Sequence, residues 1–223
     1  MTILFPNCEF SAFLFDMDGT LLTSVEASRR VWGSWAQRFG LDAATFLPKA
    51  HGMRVSEVIA ALQLPGVDPE READHILAGE LADLGDVRAV AGAAAFLSTL
   101  PADRYAIVTS APRTLATRRL EAAGLPIPPV LIAAEDVSVG KPDPTCFVMA
   151  AQRLGVAPER CLIFEDAPAG VAAAIAAGAQ VVTITAAHRH AELAEHVALP
   201  DYRGVRATAS EPHGPWTILR EAD

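Results

Sequence analysis

Four short stretches of this chain carry side chains able to do chemistry: Asp16-Met17-Asp18-Gly19-Thr20, Thr109-Ser110, Lys141 and Glu165-Asp166. Together they offer four carboxylates, three hydroxyls and an amine. Acids gathered at one place repel, by about 4 kcal/mol for a pair ~4 Å apart at an effective dielectric near 20. A cation resolves that repulsion. All-oxygen donors favour magnesium or calcium, and a site left partly open to water and phosphate favours magnesium. Helix caps and surface acids would account for Glu165-Asp166 alone, but not for four acids in two such clusters.

A carboxylate can attack phosphorus and form an acyl phosphate, dividing one difficult hydrolysis into two easier steps. Asp16, at the end of an apolar run, is the rigidly held candidate for that nucleophile. Asp18, two residues on and past a turn, can protonate the leaving alkoxide and then deprotonate the incoming water. Gly19 gives the turn its backbone freedom. Thr109 and Ser110 offer hydroxyls and backbone N–H groups to phosphate oxygens at the start of a helix. Lys141 brings positive charge to phosphoryl oxygens and to Asp16.

These residues need a scaffold that brings distant segments to one edge. The run 10–15 is apolar except for Ser11 and stops abruptly at Asp16, the pattern of a buried parallel strand feeding a turn. Further strands are expected at 105–109, 130–133, 161–164 and 181–185, with helices at 91–100, 114–123, 145–154 and 169–177. Strands alternating with helices imply an α/β fold: a Rossmann-like parallel sheet with helices on both faces. Ligands of such sheets bind at the strand carboxyl ends, where these acids and hydroxyls fall.

The segment 23–87 breaks the rhythm and reads as an α-helical insert in the first crossover. Its helices are expected around Trp32, Trp35, Ala36 and Phe39 (ending near Gly40), at 54–62, and at 69–84. The two tryptophans read as core of that insert. The division is therefore 1–22 and 88–223 for the core, and 23–87 for the insert. An edge strand is expected near 202–207. His188-Arg189-His190 reads as a solvent-facing helix start.

Bulk properties narrow the field. A net charge of -9 over 223 residues, with no basic stripe, argues against nucleic acid. No apolar run is long enough to span a membrane, and residues 1–9 lack the pattern of a secretory signal. Cys8, Cys146 and Cys161 suit no disulfide framework or metal spacing, so a reduced, cytoplasmic protein is expected. A monomer is the default, since no interface stripe is evident. Only two lysines occur, Lys49 and Lys141, against 16 arginines, which draws attention to each. A serine elbow of the G-x-S-x-G type is absent, and Gly140-Lys141 lacks the upstream glycine of a nucleotide-binding loop.

With these motifs in hand, the chain resembles the haloacid dehalogenase superfamily, and within it the sugar-phosphatase and glycerol-phosphatase-like members with a helical cap. Phe13-Leu14-Phe15-Asp16-Met17-Asp18-Gly19-Thr20-Leu21 is similar to the first motif of that family. Thr109-Ser110 matches the second, Gly140-Lys141-Pro142-Asp143-Pro144 the third, and Phe164 to Val171 the fourth. The insert falls where that family places its cap. The resemblance implies Asp16 as nucleophile and metal ligand, and Asp18 as acid/base and ligand through its carbonyl. It implies Asp166 as the remaining ligand, Glu165 near the metal or its waters, and Mg2+ as the ion. It also implies phosphate binding by Thr109, Ser110 and Lys141. His51-Gly52-Met53-Arg54 resembles a cap segment facing the site, which implies substrate contact by Arg54 and His51. Three departures stand out: Thr23-Ser24 where an acid usually precedes the serine, Ala91-Gly92 for the usual Pro-Gly, and a poor match at 200–205.

The function so implied is hydrolysis of a small sugar or polyol phosphate, with hexose phosphate favoured. A phosphosugar mutase of the β-phosphoglucomutase kind uses the same two aspartates and is the alternative. A regulatory or binding protein on the same fold is a second alternative, which the intact motifs argue against. Dehalogenation is disfavoured because Asp18 is present.

Overall fold

The computed structural model describes residues 1–187, 190, 193–209, 211 and 214–221, the side chains of 49 and 50 excepted. Thr2–Ile3 (β1) is a short edge piece, and every residue of Ala12–Phe15 (β2) is buried. Leu22–Thr23 (β3) then leads into four helices: Val25–Arg38 (α1), Ala43–Ala50 (α2), Val55–Ala61 (α3) and Pro69–Ala82 (α4). Arg88–Ala89 (β4) returns antiparallel beside β3, so the insert leaves and re-enters through a two-strand ribbon.

From there helices and strands alternate: Ala93–Ser98 (α5), Tyr105–Val108 (β5), Arg113–Ala122 (α6), Leu131–Ile132 (β6), Thr145–Arg153 (α7), Cys161–Glu165 (β7), Pro168–Ala176 (α8) and Gln180–Ile184 (β8). Val197–Leu199 (β9), Val205–Ala209 (β10) and Trp216–Arg220 (β11) complete the chain. The main sheet runs β6-β5-β2-β7-β8-β9 with every pairing parallel.

Period-two alternation decides what each face of β2 touches. Phe13 and Phe15 join Phe96, Tyr105, Phe164 and Tyr202 in one core. Ala12 and Leu14 join Ala106, Phe147, Ile163 and Ala174 in the other. Both faces of the sheet are thus covered, as the apolar runs demand. The insert has a third core of its own, built on Trp32, Trp35, Ala36, Val58, Ile59 and Ile76. Trp35 pairs its indole N–H with Glu72 Oε2 at 2.9 Å.

Several elements differ from expectation, the short strands β1, β3 and β4 among them. Helix α2 was not anticipated: Pro48 sits inside it, and its start is fixed by Asp42, whose side chain accepts from Ala44 N at 2.9 Å. The sheet gains β9 as a sixth strand, too short to show a period. The tail strand begins at Val205, not at 202; Tyr202 is instead a core side chain, and β10 pairs with β11 in a separate antiparallel sheet that includes β1.

Candidate active site

Strand β2 lies between β5 and β7, so Asp16 emerges from the middle of the sheet with its backbone N–H bound to Phe164 O at 2.9 Å. The turn after it closes on itself: Leu21 N bonds Met17 O at 2.9 Å and Gly19 N bonds Leu22 O at 2.7 Å. Gly19 adopts φ +91, and a Cβ there would stand 1.8 Å from Asp166 Oδ2. The absent side chain therefore lets the end of β2 and the Asp166 carboxylate approach.

Lys141 is the hub of the buried charges. Its Nζ donates to Asp16 Oδ1 at 2.6 Å, Glu165 Oε1 at 2.7 Å and Val108 O at 3.3 Å, which employs all three ammonium protons. The ammonium also lies 5.0 Å from the centroid of the Phe147 ring. Glu165 is equally committed: its Oε2 accepts from Asp166 N at 2.7 Å and Ala167 N at 2.8 Å. Its carboxylate packs where a Cβ on Gly170 would stand, so that glycine makes room for it.

Asp16, Glu165 and Asp166 each place a carboxylate oxygen within 4.8 Å of the others, all three residues buried. When ionised they outweigh the Lys141 ammonium by two negative charges. Burial, reinforced by Glu165 and opposed by Lys141, pushes the Asp16 carboxyl up to about 8. Burial together with Glu165 and Asp16 raises the Asp166 carboxyl well above the usual range. Burial opposes the Lys141 ammonium, but Asp16 and Glu165 more than offset it, so the lysine remains the cation. Asp166 Oδ2 is buried and accepts no hydrogen bond. An acidic oxygen cluster two charges in excess, with one oxygen left over, fits a divalent cation.

Asp18 points elsewhere. Its Oδ1 accepts from Ser24 Oγ at 2.6 Å and lies 3.0 Å from Arg119 Nη1. Both Asp16 and Asp18 line a cavity of about 430 Å³ between the strand ends and the insert, together with Thr109 and Ser110. Thr109 Oγ1 accepts from Ala111 N at 3.1 Å, and Ser110 Oγ donates to Gly52 O at 2.7 Å. The six core residues expected to act together are thus assembled at one edge, with Glu165 behind them.

The insert residues divide. His51 lines the cavity with Nε2 3.2 Å from Asp166 Oδ2. Arg54 instead lays its stem over Gly140 and donates from Nη1 to Ser138 O at 3.1 Å and Glu57 Oε1 at 3.4 Å. It borders a smaller cavity shared with Thr109, Ser110 and Lys141. Glu57 Oε1 in turn accepts from Gly140 N at 2.9 Å, so the insert grips the loop that carries Lys141.

Sequence reasoning missed Ser24 and Arg119, which touch Asp18, and Ser28 and Glu80, which touch Arg119. A signal existed for Arg119: it shares its helical face with Leu115, Ala116 and Leu120, all buried. The reading of 188–190 as solvent-facing is corrected for His190, which lines the cavity because its ring packs beside that of His51 in the insert, 5.9 Å between centroids. His188 and Arg189 lie outside the described residues.

A parallel sheet with two aspartates after its central strand, a buried lysine between acids, and a helical insert above defines a hydrolase of the α/β class. The chain belongs to the haloacid dehalogenase-like hydrolases, whose family profile matches residues 10–178. It is 39% identical over 181 residues to hexitol phosphatase A of Escherichia coli, covering 78% of this chain and 82% of that one. It is 35% identical over 206 residues to validoxylamine A 7'-phosphate phosphatase of Streptomyces hygroscopicus subsp. limoneus, covering 88% and 96%. The crystal structure of a hydrolase from Pseudomonas syringae superposes with a TM-score of 0.75 at 28% identity, covering 84% of this chain and 91% of that one.

Proposed function

We propose that this hydrolase is a magnesium-dependent phosphomonoesterase that releases phosphate from a small sugar or polyol phosphate, hexose or hexitol phosphate favoured. The observation that carries the proposal is the placing of Asp16 and Asp18 on one cavity with different partners: Asp16 on Lys141, Asp18 on Ser24 and Arg119. One carboxylate is held for attack and the other is held for proton transfer. The relatives that hydrolyse phosphate esters support hydrolysis over mutase chemistry.

In the first step an Asp16 oxygen forms a bond to phosphorus as the bond to the alcohol oxygen breaks, and Asp18 gives its proton to the leaving alkoxide. In the second, Asp18 takes a proton from water, whose oxygen attacks phosphorus and frees the Asp16 carboxylate. Asp16, Asp166 and the Asp18 carbonyl would hold Mg2+, which supplies charge stabilisation to phosphoryl oxygens when bound. Glu165, with both oxygens engaged, serves by fixing Lys141 beside Asp16. Ser110 exchanges Gly52 O for a phosphate oxygen, and Thr109 lies next to it.

Residues 23–87 act as the cap and 1–22 with 88–223 as the catalytic core, a division supported by the separate apolar core of the insert and its two-strand connection. His51 and Arg54 approach the phosphate from the cap. Three cysteines without a disulfide suit the cytoplasm, and among the described residues no helix is long and apolar enough to cross a membrane. The test is a phosphate-release screen over sugar, polyol and nucleoside phosphates with magnesium and with chelator. Magnesium-dependent release, strongest on hexose or hexitol phosphates, is expected; no release from any ester would overturn the proposal.

A further inference from the structure

The cavity beyond Asp16 is unevenly lined. Val25, Trp32, Leu47, Pro48, Val58 and Leu115 make most of its wall apolar. One polar corner interrupts that wall, where α6 of the core meets α1 and α4 of the insert. There Arg119, only 4% exposed, sets Nη1 3.0 Å from Asp18 Oδ1 and Nη2 3.2 Å from both Glu80 Oε1 and Ser28 Oγ. Ser28 Oγ donates to the same Glu80 oxygen at 2.8 Å.

One polar atom remains over: Arg119 Nε is buried and makes no hydrogen bond. Buried donors are ordinarily paired, and the residue that carries this unmet N–H lines the cavity beside Glu80 and Ser28. The Arg119 guanidinium and the Glu80 carboxylate, 3.2 Å apart on the wall of an otherwise apolar chamber, offer the donor and the acceptor that a hydroxyl group needs. The corner's one cation, Arg119, is already paired with Asp18 and Glu80, so it offers no free positive charge to an anionic leaving group.

We infer that Arg119, Glu80 and Ser28 form the subsite that reads hydroxyl groups of the leaving alcohol, and that they restrict good substrates to phosphates of uncharged polyhydroxylated alcohols. The inference rests on the phosphatase reading above. Arg119, because it also touches Asp18, couples recognition of the alcohol to the group that protonates it. Sites that hydrogen-bond a hydroxyl reject analogues without it, since their own polar groups are then left unpaired.

The test compares kcat/KM for glucitol 6-phosphate with that for 4-nitrophenyl phosphate in the same preparation, a ratio that cancels the fraction of folded enzyme. Glu80→Gln and Arg119→Lys are each expected to lower this ratio about tenfold or more, the lysine keeping a charge beside Asp18 while removing the Nε donor. A ratio within threefold of wild type in both variants would overturn the subsite. A second arm needs no variant: wild-type enzyme is expected to prefer glucose 6-phosphate over 6-phosphogluconate by about tenfold or more, and equal turnover would overturn the charge restriction. If wild-type protein hydrolyses none of these esters, the phosphatase reading fails and the subsite with it.

Discussion

The hydroxyl of Ser110 donates a 2.7 Å hydrogen bond to the carbonyl oxygen of Gly52, joining the end of β5 to the loop before α3. That bond is one of several by which the insert sits down on the strand ends. His51 reaches Asp166, Arg54 reaches Ser138, and Glu57 reaches Gly140. The insert therefore closes on the very groups proposed to hold phosphate, and in the proposed reaction a phosphate oxygen takes the place of Gly52 O at Ser110.

Gly52 is one of the tight points of that closure. It has φ +81, and a Cβ on it would stand 2.8 Å from the Cβ of Ala167. Gly52→Ala is expected to hold the cap away from the core and to misplace the groups that face phosphate. A displacement of ~1 Å can cost about hundredfold in rate, so kcat/KM on a hexitol phosphate should fall about tenfold to hundredfold. The left-handed backbone adds a stability cost of about 1–2 kcal/mol. Steady-state kinetics with a thermal melt checks both; unchanged kcat/KM would mean that closure at Gly52 does not limit turnover.

The two aspartates should fail differently. Asp16→Asn removes the nucleophile, so no acyl phosphate should be trapped on rapid acid quench and turnover should vanish. Asp18→Asn keeps the nucleophile but loses proton transfer, with a rate loss of about 10²–10⁴. A phosphatase assay combined with quench-flow using radiolabelled substrate separates them. An acyl phosphate in Asp16→Asn, or near-normal turnover, would sink the proposed chemistry.

How much of this was visible in the chain depended on whether a residue's surroundings are local. Asp16, Asp166, Thr109 and Ser110 were legible because each follows a short apolar run, and parallel strands deliver their last residues to one edge. The helices of the core were legible to within a few residues from period and breakers. Arg119 and Glu80 were not, because their meaning lies in the packing of α6 against α4 and nothing in either helix names its partner. The full engagement of Lys141 and Glu165 was hidden for the same reason: lysine type and position were plain, but not that Asp16, Glu165 and Val108 would consume its protons. Helix α2 escaped because a proline inside a short segment ordinarily argues against helix.

Lys141 is 2% exposed and lies between two carboxylates. Lys141→Met replaces it with a side chain of similar length and no charge, leaving Asp16 and Glu165 buried without their counter-ion. Removing one partner of such a pair costs about 3–5 kcal/mol. Denaturant unfolding should show that loss as a lower midpoint, with activity abolished even where the protein remains folded. A midpoint matching wild type would show that the acids do not depend on the lysine.

Magnesium should trade places with that repulsion. When ionised, Asp16, Glu165 and Asp166 carry two negative charges beyond what Lys141 neutralises, and Asp166 Oδ2, with His51 Nε2 near it at 3.2 Å, accepts no hydrogen bond that an ion would have to displace. A ligand that binds the folded chain alone stabilises it by about 2.7 kcal/mol at a concentration of 100 Kd. Wild-type protein should therefore melt higher as magnesium is added and lower in chelator, with activity following the same titration. Asp166→Asn removes one of the crowded charges while nearly preserving shape. In chelator it should melt at or above wild type, because the ionised carboxylate is disfavoured by burial and by its neighbours. With saturating magnesium the order should reverse, since the variant loses the ion's carboxylate ligand. Differential scanning fluorimetry of both proteins across a magnesium series reads the crossing directly. Parallel curves for the two proteins would show that Asp166 does not hold the ion.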